Sequence, residues 1–180
     1  IFRHLHMGKD RVTASRDGLA RVWEALNRPP LPVTLKHNGP VRSAQFSSDG
    51  KGIVTASDDG TARVWDAQRG LPLTKPLQHN AGVNGAQFSP DGERILTASG
   101  DGTARVWRAR TGEPLTGPLK HDSGLWSAQF SPDGKQIVTA SSDGTARVWD
   151  AQSGLPITQP LTHKGWVRSA QFSPDGKRIV

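Results

Sequence analysis

The stretch Thr55-Ala-Ser-Asp-Asp-Gly-Thr-Ala-Arg-Val-Trp65 decides the fold, because near copies of it recur at an unbroken spacing of 42 residues. The copy before it runs from Thr13 to Trp23, and the copies after it end at Trp107 and Trp149. Within the stretch, Thr55-Ala-Ser57 ends one β-rich run and Asp58-Asp-Gly60 is a two-strand hairpin signal. Thr61 to Trp65 then alternates as a second strand rich in β-formers. The period extends beyond the stretch to His37, His79, His121 and His163, and to Phe46, Phe88, Phe130 and Phe172. Loops drift in length, so an unbroken period marks one structural unit stacked on the next. A period in the low forties points to the four-stranded blades of a β-propeller.

The rest of the unit fits a blade. Val41 to Phe46 reads as a first strand, closed by Ser47-Ser-Asp-Gly50, which becomes Ser-Pro-Asp-Gly in later copies. A turn near Gly70 leads to a short outer strand expected around Leu73 to Leu77, flanked or interrupted by Pro72 and Pro76. Proline is tolerated in sheets only at an edge. Only 34% of the 180 residues are hydrophobic, against 20 Gly and 13 Pro, a balance that suits many short strands separated by turns. There is no cysteine, which excludes disulfides, thiolate chemistry and cysteine metal sites. Nothing marks an oxidising compartment, a signal peptide or a membrane span, so a cytoplasmic setting is expected. Ile1 is not a natural start and suggests a piece of something longer.

The pattern His-x-Gly-x-Val, Phe-Ser-Pro-Asp-Gly, Thr-Ala-Ser-x-Asp-Gly-Thr-Ala-Arg-Val-Trp-Asp resembles the WD-repeat β-propellers, especially the very regular bacterial kind. The likeness covers essentially the whole chain. It departs where the usual Gly before the His is Lys36, Gln78, Lys120 or Thr162, and where the Asp after Trp is Glu24 or Arg108. The resemblance implies an all-β chain and, in each blade, a tetrad of loop Asp, loop His, second-strand hydroxyl and third-strand Trp. Those sets are Asp59, His37, Thr55, Trp65; Asp101, His79, Thr97, Trp107; and Asp143, His121, Thr139, Trp149. Buried polar groups need partners, and this order alternates donors and acceptors. A hydroxyl–His–Asp trio also suggests a nucleophilic triad, but three copies, each with an indole as fourth partner, favour a structural role.

Two sets are incomplete. Thr13, Asp17 and Trp23 have no His at the preceding repeat position, and His163 has no downstream Thr, Asp or Trp. Residues 13 to 180 number 168, which is four times 42, so Val180 falls in register just before Thr13. The expected organisation is one unit over 1–180, with repeats of about 1–40, 41–82, 83–124 and 125–166. Residues 167–180 would supply the strand that completes a first blade, and residues 1–8 would be displaced. Self-closure of four blades needs about 90° per blade, whereas two chains sharing eight need about 45°. The small inter-blade residues (Ala, Ser, Thr, Val) favour a homodimer closing one eight-bladed ring, ahead of a fragment of a longer propeller and, last, a four-bladed monomer.

Function is sought where the repeats differ. The residue after the first-strand Val or Leu is Arg42, Asn84, Trp126 or Arg168, and the residue before it is Pro40, Gly82, Gly124 or Trp166. The second hairpin carries Arg16, Asp58, Gly100 or Ser142. In the resembled family these loop edges lie on the face commonly used for partners, and Trp with Arg is hot-spot chemistry. The expected partner face is therefore Arg16, Arg42, Trp126, Trp166 and Arg168, for an unknown protein or peptide. The bland alternative is surface drift, with the indoles lying flat on neighbouring loops.

Net charge is +7, from 23 basic and 16 acidic residues, which admits a nucleic-acid or polyanion binder as the competing reading. Arg21, Arg63, Arg105 and Arg147 belong to the repeat itself, though, and no run of five like charges exists. Nucleic acid is the weaker expectation. Enzyme signals are weak as well. Ser-x-Asp-Gly-Thr-x-x-x-Trp is loosely similar to the Asp-box of sialidase-type propellers but lacks its spacing, and the chain has no Tyr to serve as nucleophile. The Asp-Gly loops lack calcium-loop ligand density, and the histidines lack local metal-ligand spacing. A non-enzymatic scaffold without cofactor or metal is the leading expectation.

Overall fold

The computed structural model describes residues 10–24 and 33–180. Their strands form four antiparallel sheets in chain order. The first has three strands, β1 (Asp10–Ala14), β2 (Leu19–Glu24) and β3 (Thr34–Lys36). The second runs β4 (Val41–Phe46), β5 (Gly52–Ser57), β6 (Thr61–Asp66), β7 (Leu77–Gln78). The third is β8 (Val83–Phe88), β9 (Arg94–Ser99), β10 (Thr103–Arg108), β11 (Leu119–Lys120). The fourth is β12 (Leu125–Phe130), β13 (Gln136–Ser141), β14 (Thr145–Asp150), β15 (Leu161–Thr162). Each sheet is an up-and-down meander, as blades are. The segment expected at residues 1–8 lies outside the described residues.

Turn chemistry sets the strand boundaries. In the first hairpin of the second sheet, Ser47 Oγ donates to Asp49 Oδ1 at 2.6 Å and accepts from the Gly52 amide at 2.8 Å. That local network satisfies the turn without a ladder partner. The outer strand departs from expectation. It is the pair Leu77–Gln78, not Leu73 to Leu77. Prolines cause the difference, since neither Pro72 nor Pro76 has an N–H to give. Pairing along β6 breaks into two pieces, a bridge of Pro72 with Trp65 and the short strand beyond Pro76.

Packing runs between consecutive sheets. Val54, Ala56, Ala62, Val64 and Leu77 of the second sheet meet Val83, Ala86, Ile95 and Trp107 of the third. Leu96, Ala98, Ala104, Val106 and Leu119 in turn meet Leu125, Ile137, Trp149 and Ala151. Each repeat thus offers a flat Val/Ala wall and receives the next repeat's tryptophan, which explains why no single repeat buries its own core. Gly112 is required at such a junction. Its φ is +72°, and a Cβ there would lie 3.1 Å from Leu77 Cδ2 and from Thr74 Cβ of the preceding repeat.

The two ends of the stack depart from this scheme. Trp23, with no sheet before it among the described residues, is 36% exposed, whereas Trp65, Trp107 and Trp149 are each 5% exposed. At the other end the fourth sheet's wall of Val138, Ala140 and Ala146 is covered only by Val167 and Ala170, with Phe172 and Ile179 alongside. Residues 171–180 form a narrow hairpin, with Phe172 bridged to Ile179 and the Gln171 and Val180 amides exchanging bonds at 2.9 and 3.0 Å. Among the described residues, no hydrogen bond joins 167–180 to β1.

Candidate functional site

Three tetrads are assembled with near-identical geometry. Trp65 Nε1 donates to Thr55 Oγ1 at 2.8 Å, and Thr55 Oγ1 lies 2.7 Å from His37 Nε2. His37 Nδ1 sits 3.0 Å from Asp59 Oδ2. In the next sheet the corresponding distances from Trp107 through Thr97 and His79 to Asp101 are 2.9, 2.7 and 3.0 Å. From Trp149 through Thr139 and His121 to Asp143 they are 2.9, 2.7 and 2.8 Å. With the imidazole neutral and protonated on Nδ1, the order runs indole N–H to hydroxyl, hydroxyl O–H to Nε2, and Nδ1–H to carboxylate, so every short contact is a donor–acceptor pair.

Burial explains why it stays so. Removal from water lowers the proton affinity of His37, His79 and His121, outweighing the attraction of the neighbouring carboxylates. For the aspartates, burial pulls the other way but loses. The Thr61 hydroxyl, the Asn38 amide and His37 all favour ionised Asp59, which is lowered to about 2. Asp101 is likewise lowered to about 2, and Asp143 is held well below the usual carboxylate range.

A fifth member was hidden in the sequence. Thr61 Oγ1 donates to Asp59 Oδ1 at 2.6 Å, and Thr103 and Thr145 do the same to Asp101 and Asp143, both at 2.7 Å. The signal was available: these threonines follow the 42-residue period, and the copy that lacks a histidine carries Leu19 there instead. In that copy Trp23 Nε1 still reaches Thr13 Oγ1 at 2.9 Å, but Asp17 pairs with Arg21 at 2.8 Å in place of an imidazole. His163 is exposed, and its ring makes no hydrogen bond among the described residues. The threonine hydroxyls are fully buried, with donor and acceptor capacity both used, so this trio is not presented to a substrate.

The variable positions share a local cause. The first-strand ladders slip between Val41 and Ser43, Val83 and Gly85, and Leu125 and Ser127, so Arg42, Asn84 and Trp126 are the extra residues of β-bulges. A bulge re-aims its side chain away from the ladder. Arg42 turns to Asp58 in a two-pronged pair, Nε to Oδ1 at 2.7 Å and Nη2 to Oδ2 at 2.6 Å. Asn84 Nδ2 donates to the Leu125 carbonyl at 2.7 Å. Trp126 is 39% exposed and Trp166 64% exposed, their ring centroids 6.2 Å apart. The Arg168 guanidinium lies over both rings, at 5.4 and 5.9 Å. Arg16 is exposed on the β1–β2 turn. The structure thus gathers Trp126, Trp166 and Arg168 and leaves Arg16 and Arg42 apart from them. Arg63 and Arg105 lie 5.9 Å over Trp65 and Trp107, so these two repeated arginines pack on the scaffold.

The family description "WD domain, G-beta repeat" matches residues 30–66, 71–108 and 112–150, more than half of the chain. The chain belongs to the WD40 repeat family, whose propellers are in general non-catalytic scaffolds. Among solved structures it is similar to the computationally designed Ika8 protein, with 28% identity and a TM-score of 0.83. That match covers 94% of this chain and 51% of the designed one, so the chain spans about half the length of that protein. No curated protein sequence matches it. Among the described residues there is no group of three or more His, Cys, Asp and Glu placed to hold a metal, and no helix long and apolar enough to cross a membrane.

Replacing Trp107 by Ala is expected to cost about 3–5 kcal/mol in urea unfolding, as for other buried aromatics, because it opens a void and strands the Thr97–His79–Asp101 chain. A change below about 1 kcal/mol would contradict its burial. Stability should also fall with acid in two stages. Histidines with lowered folded pKa stabilise fully above the unfolded value of about 6.5 and lose that stabilisation as pH falls through the folded value. The lowered aspartates stabilise above about 3.9 and lose it as pH falls toward 2. Denaturation midpoints measured from pH 8 to pH 2 check both stages. A midpoint constant down to about pH 5 would show that histidine burial adds no acid lability.

Proposed function

We propose that the chain is a non-catalytic repeat scaffold that self-assembles, two copies closing one eight-bladed ring, with the bulge-edge loops forming its docking face for a protein or peptide. The observation that carries this reading is the mutual fit of the two stack ends. Among the described residues, Trp23 meets no wall of a preceding sheet, and the wall of Val138, Ala140 and Ala146 receives no tryptophan. Among the same residues, the Thr13–Trp23–Asp17 set has no imidazole and His163 has no such set. In the register of Val41 opposite Ser57, Val167 of one copy stands opposite Ser15 of the other. His163 then comes within reach of Thr13 and Asp17. The chain spans 51% of a designed protein of similar fold, so a second copy would supply a comparable length to the remainder.

Closure imposes a constraint. Asp10–Val12 and Arg178–Val180 hold equivalent repeat positions, so one of the two must leave the sheet. The C-terminal residues belong to a two-stranded hairpin, which is marginal on its own, with Ile179 packed alongside the fourth sheet, and are the ones to leave. The polyanion reading has less support, because Arg42 is paired with Asp58 and the repeated Arg63 and Arg105 lie over Trp65 and Trp107.

Light scattering should give about twice the 19.4 kDa chain mass, and deleting residues 165–180 should abolish the dimer and expose an aggregation-prone edge. A stable, soluble monomer of the intact chain overturns the shared ring. For the docking face, Trp126→Ala and Trp166→Ala are expected to leave unfolding midpoints nearly unchanged while weakening capture of whichever protein or peptide the intact ring retains. A melting temperature lowered by many degrees in either variant would make these indoles packing elements.

A further inference from the structure

We propose that ring closure builds an oxyanion site at each junction between copies, formed by Arg168 of one and Arg16 of the other and taking a carboxylate or phosphate group. This rests on the shared-ring reading above. The repeat itself supplies the geometry. Arg168 occupies the bulge position of Arg42, three periods on, and Arg16 the hairpin position of Asp58, one period earlier. Where Arg42 and Asp58 stand together, they form a two-pronged pair at 2.7 and 2.6 Å. At the junction the same two positions carry two positive charges and no carboxylate.

The three other copies of this position pair are each neutral or compensated: Arg42 with Asp58, Asn84 with Gly100, Trp126 with Ser142. The junction alone places like charges there. At the Arg42–Asp58 separation, two guanidinium groups repel unless an anion sits between them. Two forks aimed at one point are the arrangement that grips an oxyanion. Arg168 is also restrained near the junction, since its guanidinium lies against Trp126 and Trp166 on one side, 5.4 and 5.9 Å from their ring centroids, and makes no hydrogen bond among the described residues. Among the described residues, neither Arg16 nor Arg168 forms an ion pair.

Ligand and assembly are then coupled: an anion that binds only the closed junction tightens the dimer. The experiment measures the dimer dissociation constant by sedimentation at constant ionic strength, replacing chloride by inorganic phosphate in one arm and by acetate in another. The intact chain should dimerise more tightly in at least one arm, and that arm identifies which oxyanion fits. Arg16→Asp restores the pair seen at Arg42–Asp58. It should tighten the dimer about fivefold in chloride, within the range of partly exposed ion pairs, and abolish the response to either anion. Arg16→Gly, which copies Gly100, should dimerise without any anion response. If the intact chain dimerises but neither anion shifts its dissociation constant, or if Arg16→Asp weakens the dimer, the site is refuted while the ring stands. If the intact chain stays monomeric at every concentration, the ring and the site both fall.

Discussion

The hydrogen-bonded chain from tryptophan to aspartate is the interaction on which the rest of the structure depends, because it does not lie within one sheet. His37 follows β3, the outer strand of the first sheet, yet its ring joins Thr55 and Asp59 of the second. Its backbone amide meanwhile donates to Gly18 of the first at 2.9 Å. Each histidine is therefore a staple between consecutive repeats. In water the same groups would be satisfied by solvent, so the net gain per bond is modest. Removing one member is costly because the others are buried and lose their partners. Cooperation along the stack follows from this. A repeat cannot complete its tetrad without the loop before it, nor bury its tryptophan without the wall before it.

Much of this was legible in the sequence, for a physical reason. A residue at a packed, hydrogen-bonded position has few substitutes, so Trp65, Thr55, His37 and Asp59 return unchanged and betray their role by period alone. Strands read well where β-branched residues alternate, as in Thr61–Asp66. The outer strand read poorly because its ladder is set by where prolines cannot donate, and the surviving pair at Leu77–Gln78 has no composition of its own. The Thr61 hydroxyl was missed because threonine is also an ordinary strand residue, so its period suggested propensity before hydrogen bonding. The pairing of Arg42 with Asp58 was not legible at all. It depends on a ladder slip after Val41 that rotates the arginine toward the hairpin, and bulges leave no fixed residue signature here.

That slip also explains why the repeats differ where they do. Residues flanking the bulge are tied to the ladder or to the neighbouring wall, as Val41 and Ala44 are. The extra residue is tied to neither, so arginine, asparagine and tryptophan all fit without disturbing the core. Freedom from packing is what makes the position available for recognition, and the same freedom would permit idle drift. The difference lies in what surrounds each copy. Arg42 and Asn84 are spent on Asp58 and on the Leu125 carbonyl. Trp126 and Arg168 instead meet each other and Trp166, forming an exposed aromatic and cationic cluster at the last complete sheet. Large exposed indoles are costly to leave in water, and a guanidinium stacked on them covers only one face. Among the described residues, this exposed cluster lies at the end of the stack where the wall of Val138, Ala140 and Ala146 is covered by Val167 and Ala170 and not by a further sheet, so the proposed docking face and the proposed ring junction fall at the same end.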